Sequence, residues 1–346
     1  ISVNLRGVGF IVIAALSATL LWAEAMAQST NSEPYGQPST AKGDWPLYFA
    51  DPTGSRYSPL DQINASNFNK LEVAWRFKTD MFGARPEYKL EGTPLAINGT
   101  IYTTAGSRRD VVALDAKTGE LKWMYSLNEG ARAINSPRQL SGRGVSYWTD
   151  GKGDERILYV TTGYRLVELD AKTGRIIESF GDHGMIDMKV GAVVGVPGRP
   201  GEYKQIDLET GEIGLHSTPT VADDVVIVGS SMKEGFQPVT QNNTKGLVRG
   251  WDVKTGKLLW TFHNVPLKGE FGYETWTHPG DAEHTGNTGC WGQISADVDL
   301  GLAYLPIEMP TGDFNGMYRA GANLFSESIV AVDLETGKRR WHYQTI

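Results

Sequence analysis

The chain has 346 residues and a formal net charge of -7, with 40% hydrophobic and 10% aromatic residues. That much apolar material can bury a sizeable core, which excludes a disordered chain. No dense run of Lys or Arg interrupts the acidic balance, so no basic face for nucleic acid is expected.

Residues 1–27 read as an export signal. Arg6 supplies a weak positive start, Val8 to Trp22 form an apolar run, and Ala25-Met26-Ala27 gives a small-x-small cleavage pattern before Gln28. The run is short of the roughly 20 residues that cross a bilayer, so a periplasmic location is expected rather than a membrane anchor. The chain begins with Ile1 rather than Met. Residues 28–42, rich in Ser, Thr, Asn, Pro and Gly, read as a flexible lead-in, and the fold is expected over residues 43–346. Cys290 is the only cysteine, which excludes an internal disulfide framework and a cysteine zinc site.

Val73 to Phe77 has the pattern of a blade's outer strand standing alone. After it one unit recurs: Val112 to Tyr125, Val167 to Phe180, Arg249 to Phe262 and Val330 to Tyr343 each read apolar strand, Asp-x-x-Thr-Gly, second strand. In the turn, Asp accepts backbone N–H bonds and Gly takes positive φ. The leaving strand carries Trp123, Trp260 or Trp341; the second copy has Glu178 there and reads as a degenerate blade. Further strand pairs, Thr93 to Thr104 and Thr218 to Gly229, precede two of the copies. About four strands per unit, with hardly any helical periodicity, predict an all-β chain of β-propeller blades, about four of them. Asp297-Val298-Asp299 reads as a strand-end turn.

The repeat Asp-x-x-Thr-Gly-x-x-x-Trp resembles the tryptophan-docking motif of pyrroloquinoline quinone (PQQ)-dependent dehydrogenases. The opening segment Trp45-Pro46 through Gly54-Ser55-Arg56-Tyr57-Ser58-Pro59-Leu60, with Val73 to Phe77 after it, resembles the same family. The resemblance runs from about Gly43 to Ile346 and is nearest the glucose-dehydrogenase-like branch. It implies an eight-bladed propeller with PQQ and calcium on the axis, of which about half is present here.

Carried over residue by residue, the resemblance implies cofactor contacts at Glu91, Arg143, His216, Ser231, Trp291 and Thr311. Arg143 suits a carboxylate of the tricarboxylate PQQ, because guanidinium binds carboxylate bidentately. Trp291 offers a flat face to a flat quinone. Glu234 is the implied calcium carboxylate, with Thr311 beside it, since a hard dication takes oxygen ligands. Where many relatives have a ligating Asn this chain has Met309, a poor ligand for a hard cation; Glu308, Thr311 or water remain open as substitutes. Pro137 and Arg138 stand where the alcohol-oxidising branch has adjacent cysteines, which favours the glucose-like branch. The family's general-base aspartate is expected beyond Ile346, so no catalytic residue is assigned in this sequence.

The implied activity is oxidation of an alcohol or sugar. Calcium polarises a quinone carbonyl, the aspartate takes the hydroxyl proton, and electrons leave to a cytochrome or a membrane quinone. The alternative is a non-catalytic periplasmic propeller scaffold with the same repeat. Arg143, Glu234 and Trp291 discriminate, because a scaffold has no use for a carboxylate clamp, a calcium carboxylate and a stacking tryptophan together.

Overall fold

The computed structural model describes residues 39–233, 242–312 and 315–346. The export-signal reading, the lead-in up to residue 38 and Glu234 lie outside the described residues.

Four four-stranded antiparallel sheets follow one another, each with its strands in sequence order. The first comprises β1 (Leu95–Ile97), β2 (Thr100–Ala105), β3 (Asp110–Asp115) and β4 (Leu121–Tyr125). The second comprises β5 (Ser146–Thr149), β6 (Glu155–Val160), β7 (Arg165–Asp170) and β8 (Met185–Asp187). A hairpin of β9 (Val193–Gly195) and β10 (Tyr203–Gln205) intervenes. The third sheet is β11 (Thr220–Ala222), β12 (Val225–Val228), β13 (Leu247–Asp252) and β14 (Leu258–His263). The fourth is β15 (Ser295–Asp297), β16 (Leu302–Ile307), β17 (Ser328–Asp333) and β18 (Arg339–Gln344). Helix among the described residues is confined to short segments such as Ala131–Ile134 and Asp281–His284. The expected blades are present.

Sheets stack face to face and bury their middle strands from both sides. Val160 and Leu166 of the second sheet share a core with Val226, Val228 and Leu247 of the third. Ile227 and Val248 of the third pack with Leu305 and Val330 of the fourth. A strand covered on both faces has no reason to alternate, and β12 is accordingly Val-Val-Ile-Val, buried throughout. The last strand of each blade is the more exposed, as at β4 and β18. First strands lie at the opposite edge, where β11 touches β5 on one side and β15 on the other.

The repeat turn behaves as its residues dictate. Asp115 Oδ1 accepts the N–H groups of Lys117 and Thr118, both at 3.0 Å. Asp170 and Asp252 do the same in their copies, and Asp333 accepts the N–H of Thr336. The Gly that follows is left-handed, with φ +75° at Gly119 and +66° at Gly337. Its missing side chain is where the preceding tryptophan docks. A Cβ on Gly119 would lie 2.5 Å from Trp75, one on Gly174 2.4 Å from Trp123, and one on Gly337 2.5 Å from Trp260. Each indole N–H then reaches a carbonyl beside that turn: Ala116, Ala171 and Leu334 respectively. Trp75 thus docks as an outer-strand tryptophan should, yet Val73 to Phe77 forms no strand. Trp341 holds the same place on β18 and is 45% exposed.

The second copy differs for a visible reason. Its outer strand does not follow the turn directly; residues 175–184 intervene before β8. The space over Gly256 is filled by backbone, since a Cβ there would meet Gly181 N at 2.6 Å. Glu178 meanwhile points outward and pairs with His183 at 3.2 Å. A fifth Asp-x-x-Thr-Gly turn, with no tryptophan after it, lies at Asp207, which accepts from Glu209 and Thr210 at 2.9 and 2.7 Å.

Candidate functional site

Four of the predicted residues occupy one structural position. Glu91, Arg143, His216 and Trp291 each precede the first strand of a blade by three or four residues, at β1, β5, β11 and β15. Because first strands form the inner edge, these entries meet.

Arg143 is the centre of the group, and its neighbours explain its placement. Gly142 and Gly144 flank it with φ +70° and +121°, a backbone path that other residues rarely take. The Arg143 N–H donates to His216 O at 2.8 Å, and its carbonyl accepts from Thr93 N at 3.0 Å. Three blade entries are thereby tied through backbone. Its guanidinium then faces Glu91, with Nε 3.8 Å from Oε2, and lies 5.6 Å from the Trp291 ring centre. His216 Nε2 is 3.9 Å from the same Glu91 oxygen. The His216 and Trp291 rings are near-parallel, 18° apart in plane and 6.0 Å between centres. The carbonyl of Trp291 accepts the Ser217 hydroxyl, and the indole N–H donates to Glu308 at 2.5 Å.

Ser231 and Thr311 belong to a different set of loops, those after the second strands β12 and β16. Ser231 is buried and accepts from Arg138 Nε at 2.6 Å. Thr311 is buried on a ladder in which Glu308 N bonds Gly289 O and Thr311 N bonds Gly286 O. Its hydroxyl accepts from Asn243 at 3.3 Å, and among the described residues no group of three or more acids, histidines or cysteines is placed to hold a metal ion, there or elsewhere. Asp297, as expected, closes a strand-end turn by accepting from Leu300 N at 2.9 Å. Cys290, beside Trp291, is buried, and burial with the Glu308 charge pushes its thiol well above the usual range.

Two supports were not legible beforehand. Arg109 is fully buried and donates to five carbonyls, those of Arg138, Leu140, Val160, Thr161 and Leu215. It therefore binds together the loops that present Arg143 and His216. Burial lowers it to about 10, so it stays charged at neutral pH. Arg138, recorded in the sequence only as standing where cysteines might, reaches Ser231 across blades. A doubled Arg108-Arg109 at the head of a buried strand was the available signal.

His216 is held neutral. Burial, then the charges of Arg143, Arg109, Arg138 and Lys89, bring it down to about 3. The unfolded imidazole titrates near 6.5. Between those values the unfolded chain binds a proton that the folded one refuses, so stability falls as pH drops through that window. Between pH 7 and pH 4 the wild type should lose about 3 kcal/mol more than His216→Gln. Urea unfolding at the two pH values measures this; equal acid sensitivity would show that His216 is not held neutral.

A family model for the PQQ glucose/ethanol/alcohol dehydrogenase β-propeller domain matches residues 45–346. The chain belongs to that family. It is 31% identical over 342 residues to the quinoprotein glucose dehydrogenase of Gluconobacter oxydans, covering 92% of this chain and 39% of that protein. It is 29% identical over 324 residues to the glycerol dehydrogenase large subunit of the same organism, covering 90% and 40%. Among solved structures, the quinohemoprotein alcohol dehydrogenase ADHIIG from Pseudomonas putida HK5 superposes with a TM-score of 0.68 at 27% identity, covering 91% of this chain and 43% of that one. The chain spans about two fifths of the length of the curated relatives it matches.

The blade-entry cluster fits the family's cofactor. Among the described residues His216 Nδ1 is buried with no hydrogen-bond partner, which a polar ligand group would relieve. Among the described residues Arg143 has only a loose carboxylate partner, at 3.8 Å, and Trp291 keeps 38% of its surface open.

Proposed function

We propose that the protein carrying this chain oxidises an alcohol or sugar, of the polyol or aldose type, with PQQ and calcium in the periplasm, and passes the electrons to a cytochrome or membrane quinone. The observation that supports it most is the meeting of Arg143, His216 and Trp291 at three blade entries.

Bound PQQ supplies the two-electron acceptor. Arg143 would bind a carboxylate of the cofactor, and Trp291 would offer its flat face to the quinone. His216, neutral at physiological pH, offers a hydrogen bond without adding charge. An imidazole held near 3 is too weak a base to take a hydroxyl proton at pH 7. It is therefore a contact rather than the general base. Arg109 and Arg138 fix the loops and bias the blade-entry cluster toward an anionic guest. Glu234 supplies an anionic calcium ligand, as the family resemblance implies.

The test uses the protein at its full natural length, stripped of cofactor and titrated with PQQ at several calcium concentrations. Dye-linked oxidation of a sugar and alcohol panel is followed. Activity should need both additions, and Glu234→Gln should raise the calcium requirement about tenfold, because Gln keeps the shape but loses the charge. No PQQ binding and no oxidation would favour the scaffold reading.

A further inference from the structure

We propose that Glu308 is a positioning residue for Trp291: its carboxylate pins the indole N–H and so sets the orientation of the face against which the cofactor lies. This rests on the PQQ reading above.

The geometry is specific on both sides of the carboxylate. Oε2 accepts the Trp291 indole N–H at 2.5 Å, and Oε1 accepts the Gly289 N–H at 3.1 Å. Gly289 and Trp291 are two residues apart on the same strand entry, so one side chain just past the end of β16 grips that entry twice. Gly289 is needed for the approach, since a Cβ there would lie 2.5 Å from Glu308 Oε1. Glu308 itself is held by its backbone, N to Gly289 O at 3.0 Å. From the other side the Ser217 hydroxyl fastens the Trp291 carbonyl. Trp291 is thus fixed at main chain and at ring edge while 38% of its surface stays exposed, with Arg143 and His216 lying against its ring.

A 38% exposed indole would ordinarily sample several rotamers. A charge-assisted bond to its only donor selects one of them. A carboxylate near an anionic cofactor is otherwise unfavourable, since like charges in a partly buried site repel. Its presence is explained by what it does for the ring, and the Arg143 charge offsets its cost.

The experiment is a double-mutant cycle read as PQQ affinity, measured by titrating apo-protein at full natural length with PQQ at saturating calcium. Glu308→Ala should weaken PQQ binding about tenfold in the wild-type background. Trp291→Phe keeps a stacking ring but has no N–H, so adding Glu308→Ala to it should change affinity less than twofold. Glu308→Gln, which can accept only one of the two bonds, should fall between. Thermal unfolding confirms that each variant is folded. A tenfold loss from Glu308→Ala that persists in the Trp291→Phe background would overturn the proposal, because the carboxylate would then act directly on cofactor or metal. So would Glu308→Ala binding PQQ like the wild type. Wild type that binds no PQQ would instead remove the functional reading itself.

Discussion

Arg143→Met is expected to weaken PQQ binding about 100-fold. Charge-assisted hydrogen bonds are worth roughly 1.5–3 kcal/mol each, and a guanidinium makes two to a carboxylate; ~3 kcal/mol of loss corresponds to that factor. Arg143→Lys keeps the charge but not the planar fork, and should lose about tenfold. Both variants should fold, because the ties from this residue to His216 O and Thr93 N are made by main chain. Glu91 adds a diagnostic. With Arg143 gone, its carboxylate would face the anionic cofactor unscreened, so Glu91→Gln should recover part of the loss in Arg143→Met. Fluorescence or absorbance titration of PQQ reads all four. An unchanged affinity in Arg143→Met would take Arg143 out of the site and leave the fold assignment untouched.

The second large effect is structural. Trp260→Ala should destabilise the protein by about 3–5 kcal/mol, the range for deleting a buried tryptophan. Trp260 is 6% exposed, lies over Gly337 of the next blade and donates its N–H to Leu334 O at 2.9 Å. Removing the ring opens a cavity between the third and fourth sheets and leaves that carbonyl unpaired. Trp260→Phe keeps most of the contact and loses the hydrogen bond, so a cost of about 1–2 kcal/mol is expected. Gly337→Ala attacks the same dock from below: its Cβ would come within 2.5 Å of the indole at a φ of +66°. Chemical denaturation of the three variants checks the order Trp260→Ala and Gly337→Ala above Trp260→Phe. If Trp260→Ala cost less than 1 kcal/mol, the docking tryptophans would be surface features rather than the joints between blades.

The blade count and the turn chemistry were legible because they are local. Asp115 binds N–H groups two and three residues ahead, so Asp-x-x-Thr-Gly makes its turn whatever surrounds it. Apolar β12 and half-exposed β4 likewise follow from composition once stacked sheets are assumed. The second blade shows the limit. Glu178 marked it as unusual, but only packing reveals that Gly181 occupies the dock over Gly256 and that the outer strand arrives late at β8.

The candidate site divides the same way. The sequence by itself determined the repeat, the tryptophan docks and, through resemblance, the identities of Glu91, Arg143, His216 and Trp291, because each sits in a recognisable short motif. Only the tertiary structure decided that these four share one blade-entry position and meet, while Ser231 and Thr311 lie on the loops after the second strands. It alone placed Arg109 beneath the loops and Glu308 at the edge of Trp291. The physical reason is that these partners lie far apart in the chain, Arg109 and Leu215 by 106 residues, and their bonds exist only once the blades have packed around a common inner edge.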